Sequence, residues 1–159
     1  MHYLKRMVKQ KTYSVIICCS TKEWEKSQLA NTIILKGTGK ALCAGGDVAT
    51  LAAEITKGSA GLDEAREFFT LEYQLDHYIA TYPKPYISIM DGITMGGGAG
   101  LSMHGPFRIA TENTVFAMPE TRIGLFPDVG AGFFLSRLDG QLGTYLALTG
   151  SHVKGVNAL

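Results

Sequence analysis

Two acidic residues, Glu120 and Asp128, lie in surroundings that suit general acid–base chemistry. Each ends a segment in which an apolar residue and a proline precede the acid: Phe-Ala-Met-Pro-Glu at 116–120 and Gly-Leu-Phe-Pro-Asp at 124–128. Proline restricts the backbone before each carboxyl group, and apolar surroundings can separate the pKa values of two neighbouring acids. A structural interpretation remains open, with Glu120 capping a helix and Asp128 forming a turn.

Two glycine clusters each follow an apolar run that predicts a buried strand. Gly45-Gly46 comes after the run at 31–36, and Gly96-Gly97-Gly98 comes after the run at 85–90. Glycine lets backbone amides approach a ligand closely, and two such amides could polarise a carbonyl oxygen as an oxyanion hole. Tight turns or close helix packing would explain either cluster without a ligand. Neither cluster has the spacing of a phosphate loop or a dinucleotide fingerprint.

A third acid, Glu72, lies on the apolar stripe of a predicted helix over 62–82. Phe68, Glu72, Leu75 and Ile79 are spaced by four, three and four residues, which places them on one helix face. A carboxylate on such a face requires either a salt bridge at its edge or a functional role. Burial without a partner would raise its pKa or destabilise the fold.

Other kinds of catalytic site are disfavoured. The 4 histidines form no motif with zinc-ligand spacing, so no metal site is predicted, and no serine lies in a Gly-x-Ser-x-Gly elbow. Cys43 has no partner motif and is interpreted as a small buried filler. The 3 cysteines, two of them adjacent, make no disulfide framework and fit a reducing compartment.

The remaining pattern predicts one mixed α/β domain. Further strands are expected at 107–110 and 114–118, and a helix at 130–148, interrupted near Gly140 and closed by Gly150. A chain of 159 residues with 46% hydrophobic residues can bury one substantial core. The net charge of +1 leaves no broad electrostatic footprint for nucleic acid. No apolar run approaches the roughly 20 residues of a membrane-spanning helix, so no membrane partner is expected.

The first 22 residues are basic and contain no acid. This composition loosely suits a mitochondrial transit peptide, although an ordinary surface segment would look the same. The basic residues concerned are Lys5, Arg6, Lys9, Lys11 and Lys22.

Four ordered motifs resemble the crotonase superfamily over roughly residues 23–155. The resemblance implies the crotonase (ClpP/crotonase-like) fold, an α/β spiral of ββα units, here with an incomplete core. It also implies a CoA thioester as substrate. The motifs are Lys-Ala-Leu-Cys-Ala-Gly-Gly-Asp at 40–47, Lys-Pro-Tyr-Ile at 84–87 followed by Asp-Gly-Ile-Thr-Met-Gly-Gly-Gly-Ala-Gly-Leu at 91–101, Phe-Ala-Met-Pro-Glu at 116–120 and Ile-Gly-Leu-Phe-Pro-Asp-Val-Gly at 123–130.

Within this superfamily, the amino-acid sequences of the last three motifs are similar to those of the 3-hydroxyisobutyryl-CoA hydrolases. Hydratases of the superfamily typically carry a glutamate where this chain has Gly100, and a glycine where it has Asp128. The resemblance therefore implies hydrolysis of 3-hydroxyisobutyryl-CoA, a step of valine breakdown, and a mitochondrial location. The alternatives are an enoyl-CoA hydratase or isomerase, and a non-catalytic, ribosome-associated interaction subunit in mitochondria.

The resemblance also implies roles for individual residues. The amides of Gly46 and Gly97 would hold the thioester oxygen. Glu120 would activate water or attack the thioester, and Asp128 would bind the substrate hydroxyl and assist proton transfer, although the sequence does not separate these roles. Glu72 would contact the substrate beside Gly97, Glu120 and Asp128. The CoA-binding positions would be Lys40, Ala41, Leu42, Ala44 and Asp47. The family needs no metal and no redox cofactor, since CoA is part of the substrate.

Both ends of the chain depart from the family pattern. Residues 1–22 form an atypical N-terminal segment in place of the family's opening strand and hairpin. Residues 23–159 correspond to the acyl-CoA-binding core without the helical C-terminal region, which normally covers the acyl pocket and builds the homo-oligomer. From sequence, a shortened chain with exposed surfaces is expected.

Overall fold

The computed structural model describes residue 14 and residues 16–158. Residues 16–26 form a helix, here α1, which runs across the boundary predicted at residue 22. The targeting signal is predicted from basic residues near the start of the chain. Four of these, Lys5, Arg6, Lys9 and Lys11, lie outside the described residues. No helix in the described part of the chain has both the length and the apolar character needed to cross a membrane.

Three successive turns of the chain each contribute two short strands followed by helical structure, which confirms the predicted spiral of ββα units. The first turn contains two helices, the second turn one, and the third turn leads into a 3-10 helix. The elements are β1 (Ile33–Lys36), β2 (Ala41–Cys43), α2 (Val48–Ile55), α3 (Ser59–Ala80), β3 (Tyr86–Met90), β4 (Ile93–Met95), α4 (Gly97–Met103), β5 (Phe107–Ala110), β6 (Val115–Ala117) and the 3-10 helix Pro119–Ile123.

The strands sort into two sheets according to their place in each turn. The first strands form a parallel sheet in the order β1-β3-β5, and the second strands form a parallel set in the order β2-β4-β6. A short strand, β7 (Val153–Lys154), pairs antiparallel with β6. Each βα connection therefore leaves the second sheet at the same end, and the glycine clusters and Glu120 follow β2, β4 and β6 there.

The predicted helix over 130–148 is interrupted near Gly140, as expected, but it is broken into more pieces than predicted. Gly140 has a φ of 60°, and Gly150 closes the last helix with a φ of 59°. Only short α-helical segments lie on either side of the break within the described residues. The pieces are α5 (Ala131–Phe134), 3-10 helices at Leu135–Arg137 and Asp139–Gln141, and α6 (Leu142–Thr149), and a 3-10 turn at Gly155–Ala158 follows β7.

The short elements β2, β4 and α2 are not predicted from the sequence. A three-residue strand is too short to show an alternating pattern, so only pairing with its neighbours defines it. Among the predicted elements, β1 begins at Ile33 instead of residue 31, and α3 spans Ser59–Ala80 instead of 62–82. Such boundary differences are small because the apolar residues that determine each element are inside both ranges.

Helix α3 joins two of the three apolar clusters of the core. Its residue Phe68 packs with Leu51 of α2 and Ala65, while Leu75 and Ile79 pack with β1 and β3. The predicted apolar stripe of this helix is therefore confirmed, and Glu72 lies on it between the two clusters. The third cluster surrounds α4 and includes residues of β6, α5 and α6.

Candidate active site

The two predicted glycine clusters lie side by side. A Cβ built on Gly45 would lie 3.5 Å from the amide nitrogen of Gly97, and a Cβ built on Gly97 would lie 3.7 Å from Cα of Gly45. These distances place the two segments in van der Waals contact, and the φ of 93° at Gly45 favours glycine at that position. Gly45, Gly46 and Gly97 all line two neighbouring cavities, so the clusters form the shared wall between them.

The two cavities differ in size and in lining. The larger, of about 780 Å³, extends along β1 and β2, whereas the smaller, of about 180 Å³, is enclosed by α3, the 3-10 helix and the loop that carries Asp128. Glu72 borders both cavities together with the glycines. A ligand with a long and a short part could therefore occupy both cavities and pass the glycine amides at their junction.

The smaller cavity combines an apolar wall with three carboxyl groups, one of which is that of Glu72. Glu120 and Asp128 line it, and the structure thus brings together the two acids that the sequence separates by eight residues. The apolar lining comes from Val48, Phe68, Phe69, Pro119, Ile123, Leu125 and Val129. Such a cavity suits a small acyl group with one polar substituent.

Glu120 is buried at the start of the 3-10 helix, where Pro119 precedes it. Its side chain is 6% exposed, and within the described residues its Oε2 atom has no hydrogen-bond partner. Burial raises the pKa of Glu120 to about 7. The backbone amide of the same residue acts in the opposite direction, and the charge of Asp128 acts in the same direction as burial. A carboxyl group with such a pKa can both accept and return a proton near neutral pH.

Asp128 is held by contacts on both sides. The hydroxyl of Tyr73 on α3 donates a hydrogen bond of 2.9 Å to its Oδ2 atom. The following residue, Val129, has a φ of 45°, which is unusual for a β-branched side chain. Its carbonyl oxygen lies 2.7 Å from Nε2 of His104, which therefore carries the donated proton. Sequence analysis missed His104 and Tyr73, because neither belongs to a local motif.

Glu72 reaches the glycine wall from the middle of α3. A Cβ on Gly97 would lie 2.6 Å from its Oε1 atom, so this glycine leaves the space that the carboxyl group uses. Burial and the charges of Asp128 and Glu120 raise the pKa of Glu72 to about 7. The carboxyl group thus belongs to the site and has no salt bridge among the described residues, in contrast to the structural alternative considered from sequence.

A fourth acid, Asp76, was missed by sequence analysis. It lies one helical turn after Glu72 on α3, lines the larger cavity and is 5% exposed. Burial and the charges of Glu72 and Asp128 raise its pKa to about 8. The i, i+4 spacing from Glu72 places the two residues on the same helix face, and this spacing is the signal that could have identified it.

The five predicted CoA-binding positions do not all meet in one cavity. Ala41, Leu42 and Asp47 line the larger cavity, and Ala44 lines the smaller one. Lys40 instead borders a separate cavity of about 340 Å³ beside Gly92 and Asn113.

The thiol of Cys43 accepts a hydrogen bond of 3.4 Å from the amide of Gly45. Burial raises the pKa of this thiol, so it is less ionised than a free cysteine. Cys43 is nevertheless only half-buried and lines the larger cavity, so it is not the fully buried filler expected from the sequence. In the part of the chain that the structure describes, no group of three or more histidine, cysteine or acidic residues could hold a metal ion.

Comparison with known proteins assigns the family. The sequence profile of the Enoyl-CoA hydratase/isomerase family matches residues 14–159. The chain belongs to this family. The fold agrees, since the chain superposes with a TM-score of 0.86 on a carnitinyl-CoA dehydratase from Mycobacterium thermoresistibile, at 43% sequence identity, covering 93% of this chain and 43% of that structure. The predicted crotonase fold is thereby confirmed.

Two similar curated relatives within the enoyl-CoA hydratase/isomerase family have different names. The chain is 58% identical over 139 residues to the mitochondrial 3-hydroxyisobutyryl-CoA hydrolase of Gallus gallus, covering 87% of this chain and 35% of that protein. It is 62% identical over 135 residues to the small ribosomal subunit protein mS47 of Neurospora crassa, covering 84% of this chain and 27% of that protein. The chain thus spans well under half the length of either relative.

Proposed function

We propose that this member of the enoyl-CoA hydratase/isomerase family hydrolyses an acyl-CoA thioester, with 3-hydroxyisobutyryl-CoA as substrate and 3-hydroxyisobutyrate and CoA as products. The observation that carries the proposal is the junction of the two cavities at Gly46 and Gly97, with Glu120 and Asp128 on the side of the smaller cavity. The relatives named 3-hydroxyisobutyryl-CoA hydrolase support the same substrate.

The two cavities suggest how the substrate binds. The CoA part would lie in the larger cavity, beside Ala41, Leu42 and Asp47, and the short acyl group in the smaller one. The thioester would then lie at the glycine wall, where the amides of Gly46 and Gly97 can donate to its oxygen. These amides would stabilise negative charge as it develops in the transition state. Neither a metal nor a redox cofactor is needed for this chemistry.

Glu120 is the group best placed to start the reaction. As a carboxylate it would take a proton from water while the water oxygen bonds to the thioester carbon, and the carbonyl oxygen would become an oxyanion. As the oxyanion collapses, the carbon–sulfur bond breaks and the protonated Glu120 returns the proton to the CoA thiolate. The alternative is direct attack by the Glu120 carboxylate on the thioester carbon, which breaks the carbon–sulfur bond and releases CoA as a thiolate that takes a proton from water. Hydrolysis of the resulting mixed anhydride then releases the acid and regenerates Glu120.

Asp128 and Glu72 would orient the acyl group. Both border the smaller cavity, and either carboxylate can accept a hydrogen bond from the substrate hydroxyl. Asp128 is already positioned by Tyr73, which leaves its other lone pairs available. A polar contact to the hydroxyl would favour hydroxyacyl substrates over simple acyl groups of the same size.

Hydration of an enoyl-CoA is the second enzymatic candidate, and the surroundings of Gly100 argue against it. No side chain fits at this position, because a Cβ would lie 2.6 Å from Oδ1 of Asp76 and 2.9 Å from Cβ of Val129. An acid therefore cannot approach the substrate from this point of α4. The acids present come instead from α3, the 3-10 helix and the following loop.

A binding role in the mitochondrial small ribosomal subunit is the other candidate, because relatives named mS47 are 62% and 56% identical to this chain. These names, together with the mitochondrial hydrolase names, support a mitochondrial location for this protein. Such a role alone would not explain four carboxyl groups gathered around two cavities.

The test is release of free CoA from 3-hydroxyisobutyryl-CoA by the purified chain, followed with a thiol reagent, in parallel with hydration of crotonyl-CoA. The matched variants are Glu120→Gln, which removes the proposed base, and Glu112→Gln, which removes an exposed acid outside the site. We expect release that Glu120→Gln abolishes and Glu112→Gln preserves. Hydration of crotonyl-CoA without CoA release would contradict the proposal. No reaction with either substrate, combined with co-sedimentation with mitochondrial ribosomal subunits, would favour the binding role.

A further inference from the structure

Asp76 is packed into the wall of the larger cavity with almost no exposure to solvent. Its carboxyl group occupies the space next to Gly100, where a Cβ would lie 2.6 Å from Oδ1 and 2.9 Å from Cβ of Val129. Asp76 and Val129 are 5% and 1% exposed. The side chain thus fills the gap between α3, α4 and the loop that carries Asp128.

The buried carboxyl group of Asp76 lacks the partners that a charged form would need. Within residues 14 and 16–158, its Oδ2 atom has no hydrogen-bond partner, and neither of the ion pairs found there involves an acid of this site. An ionised carboxylate without a partner is much more costly to bury than a neutral one. The packing therefore favours the protonated form.

Two of the groups that face Asp76, the acids Glu72 and Asp128, raise its pKa in the same direction as burial does. Glu72 and Tyr73 come from its own helix, Asp128 from the loop after the 3-10 helix and Tyr86 from β3, and each is close enough to interact with its charge. From α4 the nearest contact is Gly100, which has no side chain. Further away, the larger cavity is also lined by Lys36, Cys43 and Asp47. Burial and the charges of Glu72 and Asp128 raise the pKa of Asp76 to about 8.

We infer that Asp76 is a positioning residue of this site that works as a neutral carboxyl group. Because Asp76 carries a proton, Glu72 and Asp128 can hold their negative charges in the same site. The side chain of Asp76 also fills the space beside Gly100 and thereby supports Val129. A negative charge on Asp76 would add to the repulsion among the neighbouring acids, whereas a neutral Asp76 does not. The consequence for substrate binding rests on the proposed function, but the protonation of Asp76 does not.

A stability measurement tests the protonation without any substrate. Between pH 3.8 and about 8 the folded protein holds a proton on Asp76 that the unfolded chain has lost. Stability therefore decreases as the pH rises through this range, and each proton held in this way raises the unfolding constant up to tenfold per pH unit. The asparagine in Asp76→Asn has nearly the same shape and cannot ionise. The pH dependence of unfolding should therefore be smaller in this variant by the contribution of one proton. The matched control Asp63→Asn, an exposed acid on the same helix, should leave it unchanged.

Carboxyl carbon NMR of the unsubstituted protein gives a second measurement that does not depend on a variant. The Asp76 resonance should titrate near pH 8, and in Asp76→Asn the Glu72 resonance should titrate at nearly the same pH as in the unsubstituted protein, because Asp76 is still neutral when Glu72 ionises near pH 7. An Asp76 resonance that titrates with the exposed aspartates would overturn the inference, as would equal pH dependence of unfolding in the unsubstituted protein and Asp76→Asn.

A kinetic measurement tests the part of the inference that depends on the proposed function. The measurement is the pH dependence of KM for CoA release, compared between the unsubstituted protein and Asp76→Asn. Above the Asp76 pKa of about 8, the unsubstituted protein should show a rising KM for the hydroxyacyl thioester and Asp76→Asn should not. An equal rise of KM in both proteins would contradict the inference. If the unsubstituted protein releases no CoA, the proposed function fails, and the titration alone decides the role of Asp76.

Discussion

His104 holds Val129 in a strained backbone conformation through the 2.7 Å contact between Nε2 and the Val129 carbonyl oxygen. Val129 has a φ of 45°, and a β-branched residue in this region costs roughly 1–2 kcal/mol. The imidazole ring also packs against Phe134 of α5, with the ring centroids 5.6 Å apart. His104 thereby fixes the residue that follows Asp128, although it is 24 positions away from Asp128 in the sequence.

Replacing His104 with alanine should release this loop. We expect the free energy of unfolding to fall by about 1–3 kcal/mol, since a buried carbonyl group loses its donor. CoA release should fall more in kcat than in KM, because Asp128 loses its position but CoA keeps its contacts. Denaturant unfolding and steady-state kinetics measure the two effects. His77→Ala, at an exposed position of α3, is the control, and equal losses in both variants would contradict a specific role of His104.

Gly100→Ala should destabilise the protein, whereas Gly132→Ala should not. The added methyl group at position 100 would lie 2.6 Å from Oδ1 of Asp76 and 2.9 Å from Cβ of Val129, and such overpacking costs roughly 1–3 kcal/mol. Gly132 in α5 has no atom within 4 Å of an added Cβ, and alanine there should be neutral or stabilising by up to about 1 kcal/mol. Thermal unfolding of the pair checks this difference. Equal midpoints would show that the space beside Gly100 is not filled as the structure indicates.

The proposed role of Glu120 predicts a specific pH dependence. Burial raises the pKa of Glu120 to about 7, and the carboxylate, not the acid, takes the proton from water. CoA release should therefore rise with pH through about pH 7 and fall only above about pH 8, where ionisation of Asp76 is expected to raise KM. A general acid with the pKa of Glu120 would instead lose activity as the pH rises through 7. The profile of kcat/KM against pH measures it. A rate that is already constant well below pH 7 would exclude Glu120 as the base.

Tyr73→Phe should lower turnover moderately by removing the 2.9 Å hydrogen bond to Asp128. Because Tyr73 is 40% exposed, water can replace part of this bond, and we expect a loss of about threefold to tenfold. The double variant with Asp128→Asn should be no slower than Asp128→Asn alone, since the hydroxyl then has no carboxylate to orient. Additive losses in kcat would mean that Tyr73 acts on the substrate by another route.

Lys84→Met should weaken the attachment of α1 and the segment after it. The Nζ atom of Lys84 donates hydrogen bonds of 2.5, 2.6 and 2.8 Å to the carbonyl oxygens of Trp24, Ser27 and Ala30. Methionine keeps the length of the side chain but leaves these groups without their donor, at a cost of about 2 kcal/mol or more. Denaturant unfolding is the measurement. The control Arg66→Met removes an ion pair whose two side chains are 70% and 72% exposed, and it should change stability by less than about 1 kcal/mol.

The order of the short motifs along the chain was enough to predict the crotonase fold and to bring Gly46, Gly97 and Glu120 to one site. Each of these residues follows a second strand of a ββα unit, so the repeated topology places them at the same end of one sheet. The stripe of α3 likewise predicted that Glu72 faces inward, because helical periodicity determines the buried face. These features depend on the resemblance of the four motifs to the crotonase superfamily and on helical periodicity, and both can be read from the sequence itself.

Contacts between distant segments were decided by the tertiary structure alone. The hydrogen bond from Tyr73 to Asp128 joins residues 55 positions apart, and the contact of His104 with Val129 joins residues 25 positions apart. Asp76 became part of the site only because α3 packs against Gly100, and Lys40 was separated from the other predicted CoA contacts because it borders a different cavity. Burial and proximity in space determine the raised pKa values of Glu72, Asp76 and Glu120, and neither can be read from the spacing of residues along the chain.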